Sequence, residues 1–373
     1  MKKISIITIL DNQNIGTYLQ AYAFSEILKE RGADPSYINY RRKHESVLNN
    51  VKHILKKRER SFFHSVISAF YRMIVLIISK RKMRIFIKKN ANLSEKKYSS
   101  SFELKKSPPL ADLYITGSDQ VWNSIYNKGI DAAYFLDFAP ECKKRIAYAA
   151  SIGMDSFPLQ EEKFIVSLLL KYDAISVREM QAAELLKKIG IPGVKLVLDP
   201  TLLLNKTAWE KIGMQDTFKK EEPYLLIYSV EDSRKDLVSS CALQVAQERN
   251  LKIYQVSSGW FRDRVGDCDR YFSFSTPQRF INLIMQADFM VVSSFHGTAF
   301  SVNLNKQFVS VCPDKYNSRI ENLLTLLRLE NRIVRDKNFT LPSSDYDADL
   351  VNEILQRERR YSMDFINLNV FGD

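Results

Sequence analysis

The residues best placed to do chemistry follow an apolar run. Residues 289–292 lead into Ser293-Ser294-Phe295-His296-Gly297-Thr298, after which 298–304 has a helical pattern. A helix starting there presents unpaired N–H groups and the positive end of its dipole to an incoming anion. Gly297 allows close approach, Ser294 and Thr298 offer hydroxyls, and His296 can donate to a phosphate or move a proton. A lone histidine after a strand also has a purely structural reading. Arg178 ends another apolar run: its planar, permanently charged fork suits a ligand that carries both phosphate and carboxylate, but it can equally pair with Glu179. Asp119 reads as a general base or a turn residue, between Ser118 and Gln120, and Trp122 reads as core in preference to a sugar platform.

Other chemistries are disfavoured by spacing. With 12 glycines, every glycine-based motif can be checked, and neither a dinucleotide fingerprint nor a Walker A loop occurs. The nucleophile-elbow pattern is missing as well. Cys142, Cys241, Cys268 and Cys312 stand too far apart for a redox or metal pair, and three of the four histidines (His44, His53, His64) share one basic stretch, so no zinc cluster can be assembled. No metal is expected.

These turns need a frame. Short β-rich runs at 4–10, 36–40, 113–116, 145–150, 174–177 and 195–198 alternate with helical patterns, the clearest at 18–31, which stops at Gly32. A polar stretch at 213–223 separates them from a second set, with strands at 224–230, 252–256, 289–293 and 308–311 and helices at 236–249 and 277–287. Alternation of this kind implies α/β units with parallel sheets. Length points to two domains: residues 1–210 with a basic helical insertion at 41–97, residues 211–340, and a last segment, 341–373, expected to pack back on the first domain. The polar turns after the strands (Asn14 to Gly16, Gly117 to Gln120, Ser151 to Gly153, Arg178-Glu179, Asp199-Pro200) then lie where open α/β sheets bind ligands.

Composition is that of a globular protein, 45% apolar and 26% charged. The formal charge is +12, and residues 41–97 hold 17 Lys or Arg against three Glu, 17 − 3 = +14, leaving −2 for the rest. Within this insertion the apolar stretch 62–78 contains Arg72 and is bracketed by Lys56, Lys57, Arg58, Arg60 and by Lys80, Arg81, Lys82, Arg84. A central charge argues against a membrane span and favours an interfacial or buried helix. Basic flanks suit an anionic membrane surface, and the same pattern also fits an amphipathic helix on the protein's own core. No nucleic-acid-binding motif accompanies the charge, so no nucleic-acid partner is expected. The start of the chain lacks a small-residue cleavage site after its apolar run, and a cytoplasmic protein is expected.

Taken in order, Asn14-Ile15-Gly16 with Leu19-Gln20-Ala21-Tyr22-Ala23, then Gly117-Ser118-Asp119-Gln120-Val121-Trp122-Asn123, Ser176-Val177-Arg178-Glu179, Asp199-Pro200 and Ser294-Phe295-His296-Gly297 resemble the polysaccharide pyruvyl transferases, from Asn14 to about Leu329. The resemblance implies a GT-B-like fold, two Rossmann-like domains facing a cleft. It implies phosphoenolpyruvate as donor substrate with no cofactor, bound mainly on the second domain. It also implies a sugar acceptor facing the first domain, lipid-linked among the alternatives. His296 matches the family's phosphoenolpyruvate-contacting histidine and Arg178 its anion-binding arginine. Asn14, Gly16, Gln20, Ser118 and Gln120 fall in the matching motifs. Some members carry an arginine two positions before the histidine where this chain has Ser294, and Arg319 or Lys315 could supply that charge. Two rivals are a GT-B glycosyltransferase using a nucleotide sugar and a non-enzymatic polybasic membrane-binding protein.

Overall fold

In a computed structural model the chain forms two parallel sheets. The structure describes residues 1–46, 49, 62–230, 232–259, 264–312, 318–342 and 344–372. The first sheet comprises β1 (Lys2–Ile7), β2 (Ala33–Tyr40), β3 (Leu93–Tyr98), β4 (Leu113–Thr116), β5 (Lys144–Ala150), β6 (Ala174–Val177) and β7 (Lys195–Leu196), in the order β3-β2-β1-β4-β5-β6-β7. The second comprises β8 (Tyr224–Tyr228), β9 (Lys252–Val256), β10 (Arg270–Phe272), β11 (Phe289–Val292), β12 (Phe308–Val311) and β13 (Ile333–Val334), in the order β10-β9-β8-β11-β12-β13. Each sheet starts in its middle, winds to one edge and crosses back to the other. This is the doubly wound, Rossmann-like order, and two such domains facing each other make the fold GT-B-like.

The reversal of winding lies between β1 and β4 in one sheet and between β8 and β11 in the other. Both strand pairs end level, Ile7 opposite Thr116 and Tyr228 opposite Val292, so each delivers two loops to one crevice. Central strands such as β8 and β11 are wholly buried, which is why they read as continuous apolar runs. The strands that periodicity does not reveal, β3, β10 and β13, are edges with one neighbour each. β3 (Leu-Ser-Glu-Lys-Lys-Tyr) exposes its charged residues, the composition that discourages pairing with another chain.

The helices used below are α1 (Ile15–Glu30), α2 (Phe62–Asn90), α3 (Phe295–Asn303), α4 (Ser318–Leu326) and α5 (Ala348–Ile366). Two of them start three residues before their apolar pattern does. Asn14 caps α1 by accepting from the Gly16 amide at 2.9 Å, and Ser294 caps α3 by accepting from the Gly297 amide at 2.9 Å. His296 therefore belongs to the first turn of a helix and not to the loop before it. α1 is buried on nearly all sides because it packs both on its own domain and on Pro277–Gln286 of the second. α5 returns to the first sheet, where Ser362 Oγ accepts from the Leu198 amide at 2.9 Å and Phe365 packs on Tyr148.

α2 is one 29-residue helix. Val75, Leu76, Met83, Phe86 and Ile87 are buried, with Phe86 5.7 Å from Tyr22 of α1. It also reaches the second domain: Ser79 Oγ donates to the Ser258 carbonyl and Lys82 Nζ to the Phe274 carbonyl at 2.7 Å. Among the described residues no helix is long and apolar enough to cross a membrane. Lys56, Lys57, Arg58 and Arg60 lie outside the described residues.

Candidate functional site

The two crevices open into one cavity of about 410 Å³, walled by Asn12 and Asn14 after β1, Asp119 and Gln120 after β4, Ser229 and Lys235 after β8, Ser293 to His296 after β11, and Arg319 of α4. Each lining loop leaves the carboxyl end of a strand, so the winding of two separate sheets builds a single site. Tyr228 closes the seam by donating to Asn14 Oδ1 across the domains at 3.2 Å.

His296 is 3% exposed and lines this cavity, and its buried Nε2 has no hydrogen-bond partner among the described residues. Burial pushes the imidazole pKa down, to about 4; Asp199 and Asp119 oppose this, while Arg178 and Arg319 reinforce it. The ring is thus neutral near pH 7, able to accept a proton, with carboxylates behind it to hold the imidazolium that results.

Gly16 decides how closely the domains meet. A Cβ at that position would stand 2.2 Å from His296 Cγ and 2.3 Å from Nδ1, so the first turn of α1 is pressed against the imidazole. The glycine is required for space and not for a left-handed backbone. The amino ends of α1 and α3 consequently converge on the cavity. Gly16→Ala should keep its helix cap yet shift the ring or part the domains. A misplacement of about 1 Å costs on the order of 10²-fold in turnover. Steady-state kinetics together with a thermal melt would check this, and wild-type turnover in the folded variant would mean that the contact has no catalytic consequence.

Asp119 sits at φ +86°, a region an aspartate tolerates but seldom occupies. Its carboxylate accepts from Thr17 Oγ1 at 2.7 Å and from the Gln120 amide at 2.9 Å, and lies 3.6 Å from Arg178. Burial works to raise its pKa, but Arg178, His296 and these hydrogen bonds outweigh it and hold the carboxyl below its ordinary range. The carboxylate is thus ionised near neutrality and already accepts two hydrogen bonds. Its contribution to the cavity is negative charge beside the imidazole.

Arg178 departs from expectation. The guanidinium is buried behind the cavity wall, 2.6 Å from Asp199, 3.5 Å from Glu179 and 3.6 Å from Asp119, and stacks 4.8 Å from the Phe295 ring centre. Three carboxylates surround it and balance its charge, and it is not among the residues that line the cavity. Ser118 belongs to the same group: its hydroxyl donates to Asp199 at 2.8 Å and accepts from Arg178 at 3.1 Å.

Other expected ligands do packing work instead. Gln20 is buried and donates to Thr8 Oγ1 at 3.3 Å. The Thr298 hydroxyl donates to the Ser294 carbonyl at 3.0 Å and meets Ser310 Oγ at 2.8 Å. A Cβ on Gly297 would stand 3.0 Å from Val292 and 3.1 Å from Tyr228. Asn14, Gln120, Ser294 and Arg319 do line the cavity, and the Arg319 guanidinium lies 3.1 and 3.2 Å from the Gln120 side-chain amide, another contact across the domains. Lys315 lies outside the described residues. Sequence reasoning missed Lys235, Tyr126 and Tyr228. Lys235 opens the helix after β8, the second domain's counterpart of the α1 start, so applying the strand-end rule to both domains alike would have found it.

Likeness to solved structures is broad and distant. A Staphylococcus aureus structure titled as MnaA with UDP matches over 97% of this chain and 91% of its own at 11% identity, TM-score 0.48. A putative UDP-N-acetylglucosamine 2-epimerase from Listeria monocytogenes matches over 97% of both chains at 11% identity, TM-score 0.45. A sucrose-phosphate synthase from Thermosynechococcus elongatus matches over 99% and 94% at 11% identity, TM-score 0.44. Among curated protein sequences nothing matches. The family model described as polysaccharide pyruvyl transferase, however, matches residues 14–314, a stretch running from the cap of α1 through the His296 helix and past β12. With both helix caps and His296 inside that span, this chain belongs to the polysaccharide pyruvyl transferase family, and it is a transferase.

Proposed function

We propose that the cleft binds phosphoenolpyruvate and transfers its pyruvyl group to two hydroxyls of one sugar in a surface-polysaccharide precursor, forming a cyclic ketal and releasing phosphate. The observation that carries this reading is the neutral imidazole, its Nε2 without a hydrogen-bond partner among the described residues, at the joined amino ends of α1 and α3, in a cavity that also holds Lys235 and Arg319. Two cations and two helix termini suit a small ligand with phosphate and carboxylate. His296 takes the proton of the first hydroxyl as its oxygen adds to the central carbon, then returns that proton to the methylene, which becomes the methyl group. The C–O bond to phosphate breaks, the second hydroxyl closes the ketal, and its proton leaves on phosphate. Asp119 and Asp199 stabilise the transient imidazolium, while Arg319 and Lys235 hold the departing phosphate.

Binding alone tests the donor. Phosphoenolpyruvate should raise the melting temperature, whereas UDP- and GDP-sugars should not. A pyruvyl ketal on candidate acceptors, seen by mass spectrometry, completes the case. Stabilisation by nucleotide sugars and not by phosphoenolpyruvate would refute it. A second measurement probes the imidazole: because burial lowers its pKa, a bound phosphate dianion should move the His296 titration midpoint upward from about 4. The imidazole proton signal, followed by NMR with and without inorganic phosphate, reads this directly, and an unmoved midpoint at saturation would remove the phosphate from the neighbourhood of His296.

We also infer that the enzyme works at the cytoplasmic face of the membrane. α2 exposes Ile67, Phe70, Ile77 and Ile85 together with Arg72, Arg81, Lys88 and Lys89, the mixture that suits an anionic bilayer surface. The protein should sediment with phosphatidylglycerol vesicles and release as salt rises, each basic residue contributing about 1 kcal/mol near the surface. Equal partition onto neutral vesicles would argue against it.

A further inference from the structure

A second cavity, of about 610 Å³, lies on the same edge of the first sheet, between α2 and the chain leaving β1 and β2. One wall separates it from the first: Asp11 lines the second cavity and Asn12 the first, and the Arg42 guanidinium stacks 5.0 Å from the ring of Tyr126, which lines the first.

Its charge is unbalanced. Among the described residues that line it, five cations stand against Asp11 and Glu45. Arg42 is committed to Asp11 at 2.6 Å, and Lys80 donates to the Glu45 carbonyl at 2.7 Å and lies 4.0 Å from its carboxylate. Arg41, Arg81 and Arg84 remain, and no salt bridge among the described residues holds them. Three guanidiniums on a concave wall repel one another and favour a ligand with more than one negative charge. The helix adds a direction: Phe70, Ile77, Arg81 and Arg84 recur at spacings of seven, four and three, so they lie along one face of α2. Phe70 is 60% exposed and Ile77 49%. An anion held by Arg81 and Arg84 therefore has an apolar track beside it.

We propose that this cavity seats the diphosphate joining the acceptor sugar to its carrier, with the carrier chain along the Ile77 and Phe70 face. The proposal rests on the pyruvyl-transfer reading of the first cavity: a sugar attached to that diphosphate reaches over the Asp11–Asn12 wall toward His296. The apolar track favours an isoprenoid carrier, and a nucleoside carrier would share the diphosphate chemistry.

Calorimetric titration of the full chain with pyrophosphate, farnesyl diphosphate and UDP tests the site. Arg81→Ala/Arg84→Ala should weaken all three by at least about tenfold, the equivalent of one charged hydrogen bond. Arg72→Ala/Lys89→Ala, which removes the same charge elsewhere on α2, should not. Farnesyl diphosphate binding more tightly than pyrophosphate supports the isoprenoid carrier, and UDP binding more tightly supports the diphosphate site with a nucleoside carrier. Absence of binding, or equal binding by wild type and the Arg81/Arg84 variant with its circular dichroism intact, overturns the proposal. The two readings fail separately: the Arg81/Arg84 variant should keep its thermal stabilisation by phosphoenolpyruvate, and His296→Ala should lose that stabilisation while still binding pyrophosphate.

Discussion

His296→Ala should lower turnover by about 10²–10⁴-fold, the contribution of one positioned acid or base, while the protein stays folded. The basis for expecting intact folding is local. The α3 cap is made by Ser294 and the Gly297 amide, neither of which needs the imidazole, and Nε2 makes no hydrogen bond among the described residues that its loss would break. His296→Gln separates the two duties of the ring. A glutamine can still donate a hydrogen bond toward phosphate but cannot take a proton, so phosphoenolpyruvate binding should partly recover and turnover should not. Rates measured at saturating donor, with a melt on the same sample, decide the matter; near-normal turnover in both variants would return His296 to a structural role.

The largest stability effect should come from Arg178→Ala. Its removal leaves Asp119, Asp199 and Glu179 buried without their shared cation, and breaking a buried pair in this way costs about 3–5 kcal/mol. Adding Asp199→Asn should recover part of the loss, because the two side chains act as one unit. Denaturant melts of the two single variants and the double variant measure this coupling. If Arg178→Ala instead melted like wild type and lost only donor binding, Arg178 would be the anion ligand after all.

The same group makes stability depend on pH. Burial works against the Asp199 carboxylate, yet Arg178 and His296 hold its pKa at about 2, below the roughly 3.9 of an unfolded chain. Its contribution is therefore complete above about pH 4 and disappears as pH falls toward 2. His296 acts in the same direction over a higher window. Native at about 4 and unfolded near 6.5, it lets the unfolded chain bind the extra proton, so stability declines as pH falls from about 6.5 to 4. Stability should rise with pH across both windows, and Arg178→Ala should alter the lower one.

How much was legible beforehand varies with the physics involved. β4, β6, β9 and β12 were readable to the residue, because strands that are almost wholly buried are rich in apolar and β-branched residues. β3 was not, since an edge strand needs only one partner and keeps its charges in water. The starts of α1 and α3 were read three residues late because their first turns follow capping chemistry in place of apolar periodicity. Among the site residues placed at strand ends, Asn14, Gln120, Ser294 and His296 line the cavity, whereas Ser118 and Arg178 from the same kind of turn do not. Charge alone misled at Arg178, for nothing in one dimension tells an arginine facing solvent from one enclosed by three carboxylates.

The amino-acid sequence by itself determined the elements: which runs must be buried strands, which turns follow them, where the positive charge is concentrated, and that a single histidine stands at a strand end. Only the tertiary structure decided which of those turns meet. The approach of Gly16 to His296, the contact of Arg178 with Asp119 and that of Arg319 with Gln120 all join positions more than 50 residues apart. Local propensity acts over a few residues, whereas such contacts arise from the winding of two sheets and the packing of their central helices, which set position and orientation in space without leaving a mark on spacing along the chain.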